Sequence, residues 1–171
     1  MITLIISRTG MIEGTSLIPT ANILNPYFLF GAECSENNQQ ILKAYMDKAE
    51  EIWSLVRKDA TKGGQIPDYT LRTLLLWQDV KYGSLSYPEI GCIPGIQSFL
   101  MCIFAAMQRV HPERDYKIIT TSEYIVRCSQ LLVAHKVLDK DTDIQVFDTD
   151  PNGKPETIEF QLPDDLHTVT L

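Results

Sequence analysis

Tyr116-Lys-Ile-Ile-Thr-Thr-Ser-Glu-Tyr-Ile-Val-Arg-Cys-Ser-Gln-Leu-Leu-Val-Ala-His-Lys-Val137, followed closely by Asp143-Ile-Gln-Val-Phe-Asp-Thr149, changes its hydrophobic period twice. Tyr116–Thr120 is short and rich in isoleucine, the pattern of a buried strand. From Ser122 to Val137 the apolar residues Ile125, Val126, Leu131 and Leu132 return at helical spacing. Asp143–Thr149 reverts to strand character. A strand–helix–strand unit of this length is the signature of a right-handed parallel crossover. It predicts an α/β fold, with a central, mostly parallel sheet and flanking helices.

Working outward, Asp150-Pro-Asn-Gly-Lys154 reads as a turn, because proline presets φ and glycine accepts φ > 0. Thr157–Leu162 alternates after it, so a C-terminal β-hairpin is expected. At the other end, Ile2–Ser7 reads as a strand. The irregular stretch up to about Ser35 holds one further candidate strand, Tyr27–Phe30. The clearest helix spans Glu36–Asp59, with Ser35 as cap and an apolar stripe of Ile41, Leu42, Tyr45, Met46, Ala49, Ile52, Trp53 and Val56. A second helix starts after Pro67, with Asp68 as cap, and carries Leu71, Leu74 and Leu75. Tyr82–Pro94 is a Gly/Pro-rich connection, and Gly95–Arg109 is a third helix with Ile96, Phe99, Leu100, Ile103, Phe104 and Met107 inward.

The 171 residues predict a single domain, 1–171, and a length that buries about two-thirds of the unfolded surface without staples. No apolar run approaches the roughly 20 residues a bilayer helix needs, and the N-terminus lacks a basic signal-peptide region. The expectation is a cytoplasmic protein with no membrane association. A net charge of −7 argues against direct nucleic-acid binding, since an acidic body repels phosphate backbones. Cys34, Cys92, Cys102 and Cys128 form no C-x-x-C pair and read as reduced thiols.

Three constellations invite a chemical reading. Thr9-Gly-Met-Ile-Glu-Gly14-Thr15-Ser16 follows a strand, as a phosphate loop would, but only Gly14 and Ser16 fit G-x-x-x-x-G-K-[ST]. Without the lysine that neutralises the outer phosphate, it reads as an ordinary turn. The cysteines, with His111, His135 and His167, offer the parts of a nucleophile–base pair, which would make a small hydrolase. The acids Asp139, Asp141, Asp143, Asp148 and Asp150 superficially suggest a calcium loop, but the central glycine and the distal glutamate are missing. The residues therefore predict no metal and no cofactor.

Two ordered segments carry a family resemblance. Ser86-Tyr-Pro-Glu-Ile-Gly-Cys-Ile-Pro-Gly-Ile-Gln97 is similar to the D-E-P-E-x-x-L-H-P-x-x-Q pattern that ends the Walker B strand of RecF- and OLD-like ATP-binding-cassette heads. These heads are related to the structural-maintenance-of-chromosomes group. Ile118-Ile-Thr-Thr-Ser-Glu123 is similar to the T-H-S-E segment that follows about 25 residues later in that family. The resemblance spans residues 84 to 162 and rests on Pro88, Glu89, Gly91, Pro94, Gln97, Thr120, Ser122 and Glu123.

The resemblance implies that the strands holding Leu85 and Ile119 lie side by side and parallel. It also implies what is missing. The metal-holding aspartate falls on Ser86, the water-polarising glutamate on Tyr87 and the γ-phosphate-sensing histidine on Thr121. Phosphoryl transfer depends on positioning and charge neutralisation, so a head with these replacements is catalytically inactive. The implied role is a non-catalytic interaction or regulatory subunit, in phage defence or anti-defence, whose partner is an ATPase or nuclease subunit. Pro88, Glu89, Gln97, Thr120, Ser122 and Glu123 are its remnant-site or interaction residues. A homo-oligomer is left open, because heads of this family pair with one another. The charge of −7 offers a further alternative, an acidic immunity or inhibitor protein.

Overall fold

The computed structural model describes residues 1–7, 36–58, 60–79, 84–149 and 155–157. Five strands and four helices are built from them. These are β1 (Ile2–Ile6), α1 (Glu36–Val56), α2 (Asp68–Asp79), β2 (Ser84–Ser86), α3 (Pro94–Val110), β3 (Tyr116–Thr120), α4 (Glu123–Ala134), β4 (Ile144–Thr149) and β5 (Pro155–Thr157). The sheet order is β2-β3-β1-β4-β5. The first four strands are mutually parallel, and β5 runs antiparallel to β4. The α/β expectation holds.

The alternation of strand side chains divides the sheet into two faces. Leu85, Ile118, Leu4 and Val146 stand in register across β2, β3, β1 and β4. All four belong to the main core. The residues one step along, Ile5 and Ile119, form a separate buried cluster with Tyr87 against it.

On the main face α3 packs against α1 and α4 and lies over β1. Its composition explains the position, because a helix apolar all round has no solvent side to present. The sequence expectation gave α3 one inward stripe. The structure buries Met101, Cys102, Ala105 and Ala106 as well, since helices cover the flanks that face away from the sheet. Edge-to-face rings join the layers, Trp53 on Phe99 and Trp77 on both Phe104 and Tyr116.

Several boundaries differ from expectation, each for a local reason. α1 stops at Val56 rather than Asp59, and the Trp53 indole N–H reaches past its end to the Ala60 carbonyl at 3.2 Å. Asp68 is the first residue of α2 rather than its cap. The Leu71 N–H bonds the Pro67 carbonyl, so Pro67 takes the cap position. α4 ends at Ala134 rather than Val137 because Lys136 turns left-handed, with φ 57. Ser84–Ser86 is a strand where the hydrophobic pattern gave only a connection, although the resemblance implied a strand holding Leu85. The candidate strand Tyr27–Phe30, the turn at Asp150–Lys154 and the end of the strand expected to reach Leu162 lie outside the described residues. No helix among the described residues is long and apolar enough to cross a membrane.

Candidate functional site

β2, β3 and β1 end on one edge of the sheet, at Ser86, Thr120 and Ile6. In open α/β sheets the functional crevice lies outside the carboxyl ends of the strands, where neighbouring connections part. Here the strand order sends β3 and β1 to successors in opposite directions along the sheet. β3 leaves through α4 and crosses β1 to reach β4, whereas the chain leaving β1 returns at β2 on the opposite edge. The turns after β2 and β3 meet at this place, and Pro88, Glu89, Gln97, Thr120 and Ser122, which carry the family resemblance, lie in or beside them.

Tyr87 closes the end of β2 over its neighbours. Its N–H continues the ladder to the Ile119 carbonyl at 2.7 Å, and its backbone is left-handed at φ 51. That conformation is unfavourable for a residue bearing Cβ. The ring packs against Ile5 and Ile119, and the hydroxyl donates to Ser7 Oγ at 3.3 Å. The Ser7 N–H bonds the Thr120 carbonyl at 2.8 Å. One side chain thus ties the ends of three strands together.

Two braces then join the turns. Glu89, buried at 8 % exposure, accepts through Oε1 from the Thr121 N–H at 2.7 Å and the Thr121 hydroxyl at 2.9 Å. Its Oε2 is buried with no partner. Gln97 accepts from the Ser122 hydroxyl at 2.6 Å and donates to the Cys92 carbonyl at 2.8 Å. Ser122 also caps α4 by accepting from the Ile125 N–H at 3.3 Å, while its own N–H bonds Thr120 Oγ1 at 2.9 Å. The Glu89 carboxylate thereby sits just before the cap of α4, on the side where the helix dipole favours negative charge.

Of the six residues expected from the sequence, Glu89, Gln97, Thr120 and Ser122 belong to this network. Pro88 is buried in the same turn, its carbonyl 3.8 Å from Cys92 Sγ. Glu123 stands apart on the surface and pairs with Arg127 at 3.5 Å. The sequence reading marked Tyr87 and Thr121 only as departures from a catalytic pattern, and did not see them as working residues. Their partners lie 80 and 32 residues away in sequence, beyond the reach of any periodic signal.

Two depressions border the network. An apolar pocket of about 180 Å³ is walled by Tyr69, Leu74, Leu85, Pro88 and Ile90, with Tyr69 and Ile90 exposed at its rim. A more open one of about 310 Å³ is lined by Ile6, Thr121, Ser122, Glu123, Arg127 and Gln130.

The other candidates resolve locally. The phosphate-loop candidate (residues 9–16), Cys34, His167 and Asp150 lie outside the described residues. Cys92 meets Thr70 Oγ1 at 3.7 Å and the Pro88 carbonyl rather than a histidine. Burial pushes its thiol up; the Thr70 hydroxyl opposes the shift and the Glu89 charge adds to it. Cys102 and Cys128 are fully buried against each other. Their mutual hydrogen bond and burial hold the Cys102 thiol well above its ordinary range, the state of an inert thiol. The Asp139 carboxylate accepts from the N–H groups of Asp141 and Thr142, and Asp143 accepts from the Asp139 N–H. These acids therefore serve their own turn. Among the described residues no three His, Cys, Asp or Glu side chains converge as metal ligands.

No family model matches the chain, and no curated protein or solved structure matches it.

Proposed function

We propose that the chain is a non-catalytic interaction or regulatory subunit resembling an inactive ATPase lobe, and that it acts by docking on an ATPase or nuclease subunit in phage defence or anti-defence. One observation carries this reading. Glu89, Gln97 and Ser122, which carry the resemblance, are engaged within the chain, Glu89 with Thr121 and Gln97 with Ser122 and the Cys92 carbonyl. A carboxylate held by two donors of its own chain is a brace, not a base waiting for water. Ser86 and Tyr87, at the positions where the family holds its metal and its water, bring no carboxylate. The parallel pairing of Leu85 with Ile118, which sets β2 beside the strand holding Ile119, supports the same reading.

The test has two arms. Purified protein with Mg²⁺ and ATP is expected to release no phosphate above a blank, and sustained turnover defeats the non-catalytic part. Affinity capture from the native host is expected to recover an ATPase or nuclease subunit in stoichiometric amount, and capture of neither removes the docking part. The net charge of −7 favours a second reading, an acidic inhibitor that holds its partner electrostatically. Partner binding that weakens steeply between 50 and 500 mM salt, roughly the range over which screening closes to a few ångströms, selects that reading over apolar docking.

A further inference from the structure

We draw no further inference here: the strongest candidate, the apolar pocket between α2 and the turn after β2 with Tyr69 and Ile90 exposed at its rim, carries nothing because nothing in the structure shows what covers it.

Discussion

Lys136 stands one residue beyond the cap of α4 with φ 57. Its N–H bonds the Val133 carbonyl, and the next N–H, from Val137, bonds the Leu132 carbonyl. This is the double bond pattern of a Schellman ending, which favours glycine in the left-handed place. Lysine there carries a Cβ penalty of roughly 1 kcal/mol. Lys136→Gly should therefore raise the urea midpoint, by a stabilisation of about 0.5–1 kcal/mol with an unchanged slope. A lowered midpoint would mean that the lysine side chain contributes something the backbone argument omits. Glu89 gives the opposite prediction. Glu89→Ala removes the charged acceptor of the Thr121 N–H and hydroxyl, and losing hydrogen bonds to a charged group costs about 1.5–3 kcal/mol. Glu89→Gln keeps one carbonyl acceptor for Thr121, so it should lose less than half as much. Equal losses from the two variants, by chemical denaturation, would show that charge rather than acceptor geometry matters at this brace.

The elements differ in how far the sequence announced them, and the difference follows from where their stability comes from. β3 begins and ends where its apolar run does, and β1 falls one residue short of the expected Ser7. β2 was invisible to a periodicity argument because Ser84-Leu-Ser86 offers a single apolar side chain. It is a strand only because β3 lies beside it. The braces share that limitation, since Glu89 and Thr121 meet through tertiary structure. The resemblance pointed to Glu89, Gln97, Thr120 and Ser122 without revealing what each one holds. Gly95, in the first turn of α3, was likewise legible only as a helix start. A Cβ there would overlap the Lys62 carbonyl oxygen, so the chain between α1 and α2 is laid directly on backbone. Gly95→Ala should displace that segment at a cost of about 1–3 kcal/mol, as overpacking does. The local change should appear as faster amide exchange between residues 60 and 66. A variant as stable as the parent, with unchanged exchange, would contradict the close approach. The turn before β4 responds to pH instead. Backbone N–H groups of Asp141 and Thr142 hold the Asp139 carboxyl below the usual aspartate range. Its folded value is depressed, so its contribution is complete above the ordinary aspartate value and is lost as pH falls through the lowered one. The Asp139 side-chain carboxyl resonance should titrate with its midpoint below the ordinary aspartate value, and a midpoint at or above that value would contradict the two backbone hydrogen bonds.

At the scale of the whole molecule, the question is whether the carboxyl edge of the sheet binds the nucleotide that the resemblance would put there. Three features argue that nucleotide finds no purchase. The carboxylate of Glu89 places a negative charge beside the start of α4, Tyr87 ties the ends of β2, β3 and β1, and the net charge of −7 opposes a polyanion at long range. Linkage turns this into a measurement. A ligand present at 100 times its dissociation constant adds about 2.7 kcal/mol to the folded state. For a chain of this length that raises Tm by about 5–10 °C. With 1 mM Mg²⁺ and ATP we expect a shift below about 1 °C, which corresponds to binding no tighter than roughly millimolar. A shift of several degrees would mean that nucleotide binds in spite of these features. Paired with absent turnover, it would recast the protein as a nucleotide-sensing subunit rather than a silent scaffold. The Glu89→Gln variant locates such binding. If ATP takes the start of α4, replacing the carboxylate with a neutral amide should enlarge the shift, and an unchanged shift would place the nucleotide elsewhere on the chain.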